Sequence, residues 1–244
     1  MRITRFYFPD PLALGAKVSL PQDAAHHAVR VLRMAEGDGV TLFNGDGHVY
    51  RAKILRIEKQ AVAVQIEQCI PASCESPLAT TLLQGISSGE RMDFTLQKSV
   101  ELGIAAIQPI QAERSVVKLS GERKEKRLQH WQKIVTAACE QCGRNMVPEV
   151  LPVMGLMEWL GEKSSGEALR IHLSPNAELG LRDLEKPTGP VVLAVGPEGG
   201  FSEHEHTALH QHGFIGIKLG ARVLRTETAA LAALAAMQTL WGDF

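Results

Sequence analysis

The sequence lacks the features of secreted and membrane proteins. The first ten residues, MRITRFYFPD, mix charged and aromatic side chains, so they contain no apolar signal-peptide core. No apolar run reaches the roughly 18 residues that a transmembrane helix needs. With no secretory signal, the four cysteines are expected to be reduced thiols rather than a disulfide framework. We therefore expect a cytoplasmic protein with no membrane partner.

The chain also lacks a strong net charge. Its 26 Lys and Arg residues are offset by 27 Asp and Glu residues, which leaves a formal charge of -1. This balance argues against binding of nucleic acid by overall positive charge, but it allows a local basic surface that contacts phosphates. With 45% apolar residues among 244, the chain is long enough to build one large core or two smaller ones.

The first segment contains short apolar runs separated by tight turns. Strand-like runs span Val40 to Phe43, Val49 to Ile57 and Ala61 to Ile66, with Gly-Asp-Gly before the first run and Asn-Gly-Asp-Gly between the first two. Short strands joined by such turns predict a small β-barrel. One helix is predicted from Asp23 to Met34, with Asp23 as its N-cap.

The pattern changes after residue 72, where Pro71, Ala72, Ser73 and Pro77 punctuate the chain. From Thr80 onward strand-like runs alternate with helical ones, which indicates an α/β layer architecture. The sequence therefore predicts two domains, residues 1–72 and 73–244.

Several elements of the second domain can be predicted from local patterns. Met92, Leu96 and Val100 share one helix face, and a longer helix is expected to begin near Ser120. The apolar run at 190–195 is typical of a strand buried on both faces of a parallel sheet. Three elements should follow it: a helix with Ser202 and Glu205 as its capping box, a strand from Phe214 to Leu219, and a helix from about Thr226 to Trp241.

The first segment that could form a ligand-binding site is Gly196-Pro197-Glu198-Gly199-Gly200, between a predicted buried strand and a helix. Three glycines within five residues let the backbone approach a ligand closely. Turns from a strand into a helix bind nucleotides or phosphates in many α/β folds, at the carboxyl ends of the strands. A tight turn with no ligand is the alternative, because this pattern matches neither the dinucleotide fingerprint nor the P-loop.

The second such segment is LGARVLRTETA at 219–229, again between a strand and a helix. Its two arginines, one glutamate and two threonines exceed what helix capping requires, although Thr226 or Thr228 could cap and Glu227 could favour the helix dipole. If the two preceding strands are neighbours in the sheet, both loops lie together. We therefore expect a shared pocket.

These two segments resemble the terminal motifs of the SPOUT methyltransferases, particularly the family that modifies uridine N3 in 16S ribosomal RNA. The first motif is GPEGGFSEHE and the second is LGARVLRTETA. The resemblance continues through HHAVRVLRM at 26–34, GISSGERMDFTLQKSVELG at 85–103, PIQAERSVVKL at 109–119 and ACEQCGRNMVPEV at 138–150. It therefore covers nearly the whole chain.

The resemblance implies an α/β fold with two parts: an N-terminal PUA-like or OB-like β-barrel that binds RNA, and a C-terminal SPOUT domain with a deep trefoil knot. It implies a homodimer that uses S-adenosylmethionine and no metal, and that acts on 16S ribosomal RNA in the assembled small subunit. The residues implied to line the cofactor pocket are Leu173, Gly196, Glu198, Gly200, Leu219, Gly220, Leu224 and Thr226. Where relatives carry leucine-histidine-proline, this chain has His172-Leu173-Ser174-Pro175.

The chemistry of the substrate suggests roles for two further residues. Uracil N3 carries a proton, so the enzyme must expose the base, stabilise a developing imide anion and align nitrogen with the methyl group. Arg225 is the candidate that stabilises the anion, as an oxyanion hole does. Glu227 either orients this arginine or accepts the proton. The candidates for RNA contact are Arg30, Arg33, Arg91, Lys98, Arg114 and Arg144.

Other functions remain open from the sequence. A ribose 2′-O-methyltransferase of the same knotted class would share the donor site, and a ribosome-binding relative without catalysis would share the fold. An oxidoreductase or nucleotide hydrolase is disfavoured because GxGxxG and GK[ST] are absent. Cys139 and Cys142 have CxxC spacing but match the inner face of a helix, and the histidines at 204, 206, 210 and 212 are interpreted as an exposed polar helix.

Overall fold

The structure, a computed structural model, describes residues 4–58, 61–162 and 167–244. The chain divides into two compact units. The first unit comprises residues 1–75 and 139–147, and the second comprises 76–138 and 148–244. Within the described ranges no helix combines the length and the apolar character needed to cross a membrane.

The first unit is built on a five-stranded sheet in the order β1-β3-β4-β5-β2. The strands are β1 (Thr4–Tyr7), β2 (Lys17–Ser19), β3 (Gly39–Phe43), β4 (His48–Ile57) and β5 (Val62–Pro71). β1 and β3 are parallel, and the other pairs are antiparallel. The three strands predicted from the turn pattern are confirmed, with β5 extending five residues further than expected.

Alternation along β4 explains the core of this unit. Tyr50, Ala52 and Ile54 are buried, whereas Arg51 and Lys53 between them are exposed. Side chains on a strand point alternately to opposite faces, so the apolar set covers one face of the sheet. That face packs into one apolar core with residues from β1, β3 and β5.

The helix of the first unit differs from the prediction. It consists of α1 (Gln22–His26) followed by a π-helical turn (His27–Val31), and it ends before Met34. The prediction of Asp23 as N-cap is wrong, because Pro21 occupies that position and no side chain caps the helix. Asp23 instead lies in the first turn, where its negative charge favours the helix dipole.

The second unit is built on a parallel seven-stranded sheet. Its strands are β6 (Thr80–Gly85), β7 (Ala106–Gln111), β8 (Glu149–Val150), β9 (Met154–Gly155), β10 (Leu169–Leu173), β11 (Val191–Val195) and β12 (Ile215–Ile217). The order is β12-β10-β11-β6-β7-β8, with β9 also pairing with β7. The apolar run at 190–195 is confirmed as a buried strand between two parallel neighbours.

Four α-helices in the described part of this unit lie between strands, and a fifth, α6, follows the last strand: α2 (Gly89–Glu101), α3 (Glu122–Cys142), α4 (Leu156–Glu162), α5 (Glu203–Gln211) and α6 (Thr226–Trp241). The last four residues of α3 belong to the first unit. The Ser202–Glu205 capping box is confirmed at the start of α5. The bounds of α6 agree with the prediction, whereas β12 is shorter than predicted.

The strand order decides where the two motif loops lie. β11 and β12 are not neighbours, because β10 pairs with both of them. The carboxyl ends of these three parallel strands nevertheless share one edge of the sheet. The loops that follow β10, β11 and β12 therefore meet at that edge.

Candidate functional site

A cavity of about 550 Å³ lies at the carboxyl edge of the second unit's sheet. Its walls include residues 173–176 from the end of β10, residues 195–201 from the end of β11, and residues 217–220 and 222–227 from the end of β12. The volume falls within the range of roughly 300–1,000 Å³ that is typical of ligand sites. The predicted shared pocket is thus formed although the two preceding strands are not neighbours.

The glycine-rich turn at 196–200 needs glycine for steric reasons. Gly200 has φ +68°, a conformation that L side chains rarely adopt. A Cβ on Gly196 would lie 2.9 Å from the backbone nitrogen of Phe201. Gly85, at the end of β6, is even more constrained, because its Cβ would lie 2.4 Å from the nitrogen of Pro197. The backbone of this turn therefore packs directly against the end of β6, with no side chain between them, and forms part of the cavity wall.

Thr226 ties the two motif loops together. Its hydroxyl donates to the carbonyl oxygen of Gly196 at 2.6 Å and accepts from Nε2 of Gln84 at 3.0 Å. The suggestion that Thr226 or Thr228 caps α6 is wrong, because Arg225 occupies the N-cap position and makes no capping hydrogen bond through its side chain. The buried hydroxyl instead fixes the start of α6 against the glycine turn.

Glu198 is held in the cavity by the segment that precedes α2. Its Oε1 accepts hydrogen bonds from the backbone N–H of Ser88 at 2.8 Å and from the Ser88 hydroxyl at 2.9 Å. Nη1 of Arg91 lies 3.3 Å from the same oxygen. Burial opposes ionisation of Glu198, but these hydrogen bonds and the charge of Arg91 outweigh it, so the pKa of Glu198 is lowered. The carboxylate is ionised at neutral pH.

Arg91 also faces the second carboxylate of the site. Its Nε lies 3.9 Å from Oε1 of Glu227, in the first turn of α6. The Glu227 side chain is 15% exposed, and its Oε2 is buried without a hydrogen-bond partner among the described residues. Arg225 precedes it on the same cavity wall with an exposed side chain.

Arg114, in the loop after β7, hydrogen-bonds to the backbone of the glycine turn and of the residue that follows it. Its Nη1 lies 3.3 Å from the carbonyl oxygens of Gly199 and Phe201 and donates to both. Nearby, the buried carboxylate of Glu205 accepts from the backbone N–H groups of Glu113 and Ser202, each at 2.9 Å. The loop after β7 is thereby joined to the start of α5.

The eight residues predicted to bind the cofactor all line this cavity: Leu173, Gly196, Glu198, Gly200, Leu219, Gly220, Leu224 and Thr226. So do the two proposed catalytic residues, Arg225 and Glu227. The arrangement offers three carboxylates, several guanidinium groups and exposed backbone around one ligand-sized space. Two contributions were not predicted from the sequence, those of Gln84 within β6 and of Ser88 within the motif at 85–103, because no local pattern singles out either side chain.

The six candidates for RNA contact are dispersed. Arg91 and Arg114 line the cavity and already contact protein atoms, and Lys98 pairs with Glu101 on α2. Arg30 and Arg33 are exposed in the first unit. Arg144 is only 6% exposed, and its guanidinium donates to Glu75 in that unit. A buried, paired arginine is poorly placed to reach a phosphate, so we do not retain Arg144 as a candidate.

Of the histidines interpreted as an exposed polar helix, His204 and His210 are exposed, whereas His206 is half-buried. His206 lines the cavity, and its ring centroid lies 5.1 Å from that of His172 on β10. The His210 ring lies 5.0 Å from His172. His172 is 1% exposed, and neither ring nitrogen has a partner among the described residues. Burial, with the neighbouring imidazoles, lowers its pKa to about 4.

The CxxC pair lies at the end of α3. Cys139 is buried, and burial raises the pKa of its thiol to about 12, which makes it a poor nucleophile at neutral pH. Across the described ranges no group of three His, Cys, Asp or Glu residues is arranged to hold a metal ion. The burial of Cys139 agrees with its predicted place on the inner face of the helix.

Comparison with known proteins gives concordant matches over the whole chain. A family model described as an RNA methyltransferase domain matches residues 74–238, and one described as an RNA methyltransferase PUA domain matches residues 20–67. A crystal structure of ribosomal RNA small subunit methyltransferase E from Neisseria gonorrhoeae, bound to S-adenosyl methionine, is 48% identical and has a TM-score of 0.93, with both chains fully covered. A putative methyltransferase from Legionella pneumophila, in complex with the same cofactor, is 41% identical over the full length of both chains and has a TM-score of 0.96. Ribosomal RNA small subunit methyltransferase E of Buchnera aphidicola is 35% identical over 243 residues, which cover 100% of this chain and 96% of that protein.

Proposed function

This chain belongs to the ribosomal RNA small subunit methyltransferase E family, and we propose that it transfers a methyl group from S-adenosylmethionine to N3 of a uridine in 16S ribosomal RNA. The main support for the proposal is the cavity formed by the loops that follow β10, β11 and β12. A relative that is 48% identical to this chain binds the same cofactor. The uridine N3 assignment rests on the motif resemblance described from the sequence.

The residues of the cavity suit S-adenosylmethionine. The donor carries an amino group on its adenine, two ribose hydroxyls and an ammonium group, all of which are hydrogen-bond donors. Glu198 has a buried Oε2 without a partner among the described residues, so one acceptor is available for such a group. The glycine turn at 196–200 would bring backbone close to the ligand, and the other residues predicted to bind it would complete the pocket.

Arg225 and Glu227 would act on the acceptor base. S-adenosylmethionine supplies an electrophilic methyl group when it is bound. As N3 of the uracil forms its bond to that carbon and the carbon–sulfur bond breaks, the N3 proton must leave. Glu227 would accept this proton, and Arg225 would offset the negative charge that develops on the uracil oxygens. Fixed alignment of the reactants can contribute about 7–11 kcal/mol toward lowering the barrier.

The first domain, residues 1–72, is proposed to bind RNA. Its match to an RNA methyltransferase PUA domain supports this role, and Arg30 and Arg33 are exposed there. Lys98, Arg91 and Arg114 are the remaining candidates on the second domain, residues 73–244. We expect a homodimer with a trefoil-knotted catalytic domain, acting in the cytoplasm on the assembled small subunit.

The proposal is tested by transfer of tritiated methyl groups to small ribosomal subunits from a strain that lacks the corresponding gene. Digestion to nucleosides should recover the label as 3-methyluridine, and naked 16S RNA in parallel reports whether assembly is needed. Label in 2′-O-methyl nucleosides would overturn the N3 assignment. Failure to bind S-adenosylmethionine in calorimetry would overturn the enzymatic assignment itself.

A further inference from the structure

Arg91 links the glycine turn to the carboxylate proposed to accept the proton. The chain of contacts begins at Ser88, whose N–H and hydroxyl both hold Oε1 of Glu198. The same oxygen lies 3.3 Å from Nη1 of Arg91, and Nε of Arg91 lies 3.9 Å from Oε1 of Glu227. One guanidinium therefore joins three segments, since Arg91 is on α2, Glu198 follows β11 and Glu227 begins α6.

The contacts of Arg91 leave a specific oxygen of each carboxylate unengaged. Arg91 faces Oε1 of Glu198 and Oε1 of Glu227, whereas Oε2 of both residues is buried with no hydrogen-bond partner among the described residues. The 3.9 Å ion pair attracts Oε1 of Glu227 toward Arg91, which leaves Oε2 as the oxygen that faces away from the guanidinium. A buried acceptor without a partner destabilises the protein unless a ligand supplies a donor. The arrangement is thus ready for a donor at Oε2 of Glu227.

We propose that Arg91 is a positioning residue that directs Oε2 of Glu227 toward the N3 proton of the bound uracil, rather than a contact to the RNA backbone. This inference rests on the proposed function. Arg91 does not touch the reacting atoms; it acts through Glu227, while Ser88 and Glu198 hold its other side.

The planar guanidinium suits this role better than an ammonium group. Its Nε and Nη1 point in fixed relative directions, so one side chain faces two carboxylates that lie on different segments. A lysine offers a single point charge on a flexible stem and would engage one carboxylate at a time. Substitution by lysine therefore keeps the charge but loses the fixed geometry.

The two roles for Arg91 give different kinetics. An arginine that positions Glu227 affects the chemical step, so Arg91→Gln should lower kcat about tenfold to a hundredfold and leave KM for small subunits within about twofold. An arginine that binds phosphate affects affinity, so its loss should raise KM and reduce the slope of log affinity against log salt by about 0.7–0.9. Arg91→Lys should recover part of kcat.

The decisive experiment is a double-mutant cycle with Glu227→Gln in single-turnover tritium assays, which remain sensitive for slow variants. If Arg91 acts through Glu227, Arg91→Gln should cost less than about twofold in the Glu227→Gln background. Equal losses in both backgrounds, or a change confined to KM and the salt slope, would overturn the inference. Thermal unfolding of each variant identifies any loss that comes from misfolding.

Arg182→Gln is the matched control, since Arg182 is exposed in a 3₁₀ turn (Leu181–Asp183) and does not line the cavity. It should leave kcat, KM and the salt slope unchanged. Formation of 3-methyluridine by the unaltered protein tests the proposed function separately. If that product forms but the cycle is additive, only the role of Arg91 is refuted.

Discussion

Replacing His172 with leucine should make the second unit resist acid better. His172 is buried between β12 and the histidines of α5, and the Cβ that Gly216 lacks would lie 3.0 Å from its Nε2. Because neither ring nitrogen has a partner among the described residues, leucine removes two buried polar atoms without breaking a hydrogen bond there. At pH 7.5 the variant should be at least as stable as the parent chain.

The size of the acid effect follows from the pKa of His172. In the folded protein this pKa is about 4, against an ordinary value of 6.5. Folding favours the neutral imidazole, so the stabilisation is fully present above pH 6.5 and is lost as the pH falls toward 4. The complete loss corresponds to about 3 kcal/mol, of which about 2 kcal/mol is already lost at pH 5. His172→Leu should abolish this part of the pH dependence.

Urea unfolding at pH 7.5 and pH 5, followed by tryptophan fluorescence, measures the difference directly. Trp131, Trp159 and Trp241 all lie in the second unit, so the signal reports the part of the chain that contains His172. His26→Leu, at an exposed position of the first unit, is the control and should retain the parent pH dependence. If the free energy of unfolding fell by the same amount from pH 7.5 to pH 5 in His172→Leu as in the parent chain, the role of His172 would be refuted.

Three further substitutions test the packing around the site and in the first unit. Gly85→Ala places a Cβ 2.4 Å from the nitrogen of Pro197, so it should displace the glycine turn and lower methyl transfer roughly a hundredfold in the tritium assay, while circular dichroism stays native. Glu205→Gln removes one of the two carboxylate oxygens that accept from backbone N–H groups, so it should lower the free energy of unfolding by about 1–3 kcal/mol. Urea unfolding measures this change, and an unchanged midpoint of the urea transition would contradict a stabilising role of these hydrogen bonds. Glu75→Gln leaves the buried guanidinium of Arg144 without its carboxylate and should lower the free energy of unfolding of the first unit by about 3–5 kcal/mol. Calorimetry should show a lower Tm, and a Tm equal to that of the parent chain would mean that the ion pair does not stabilise the fold.

Local features of this protein could be predicted because they depend on neighbouring residues. The bounds of α6, the capping box at Ser202 and Glu205, and the buried strand at 191–195 follow from periodicity and capping, which a short window contains. The two motif loops were recognised in the same way, by the glycines and charges they carry. One local inference failed at Asp23, because a proline one residue before the helix took the N-cap position.

The partners of the charged residues were decided only by the tertiary structure. The insertion of β10 between β11 and β12 is a matter of strand order, which no single segment encodes. That order brings the loops after these strands to one edge, where Arg91 lies between Glu198 and Glu227. A sequence reveals that an arginine carries a positive charge, but whether that charge faces solvent, phosphate or two carboxylates depends on which distant segments fold beside it.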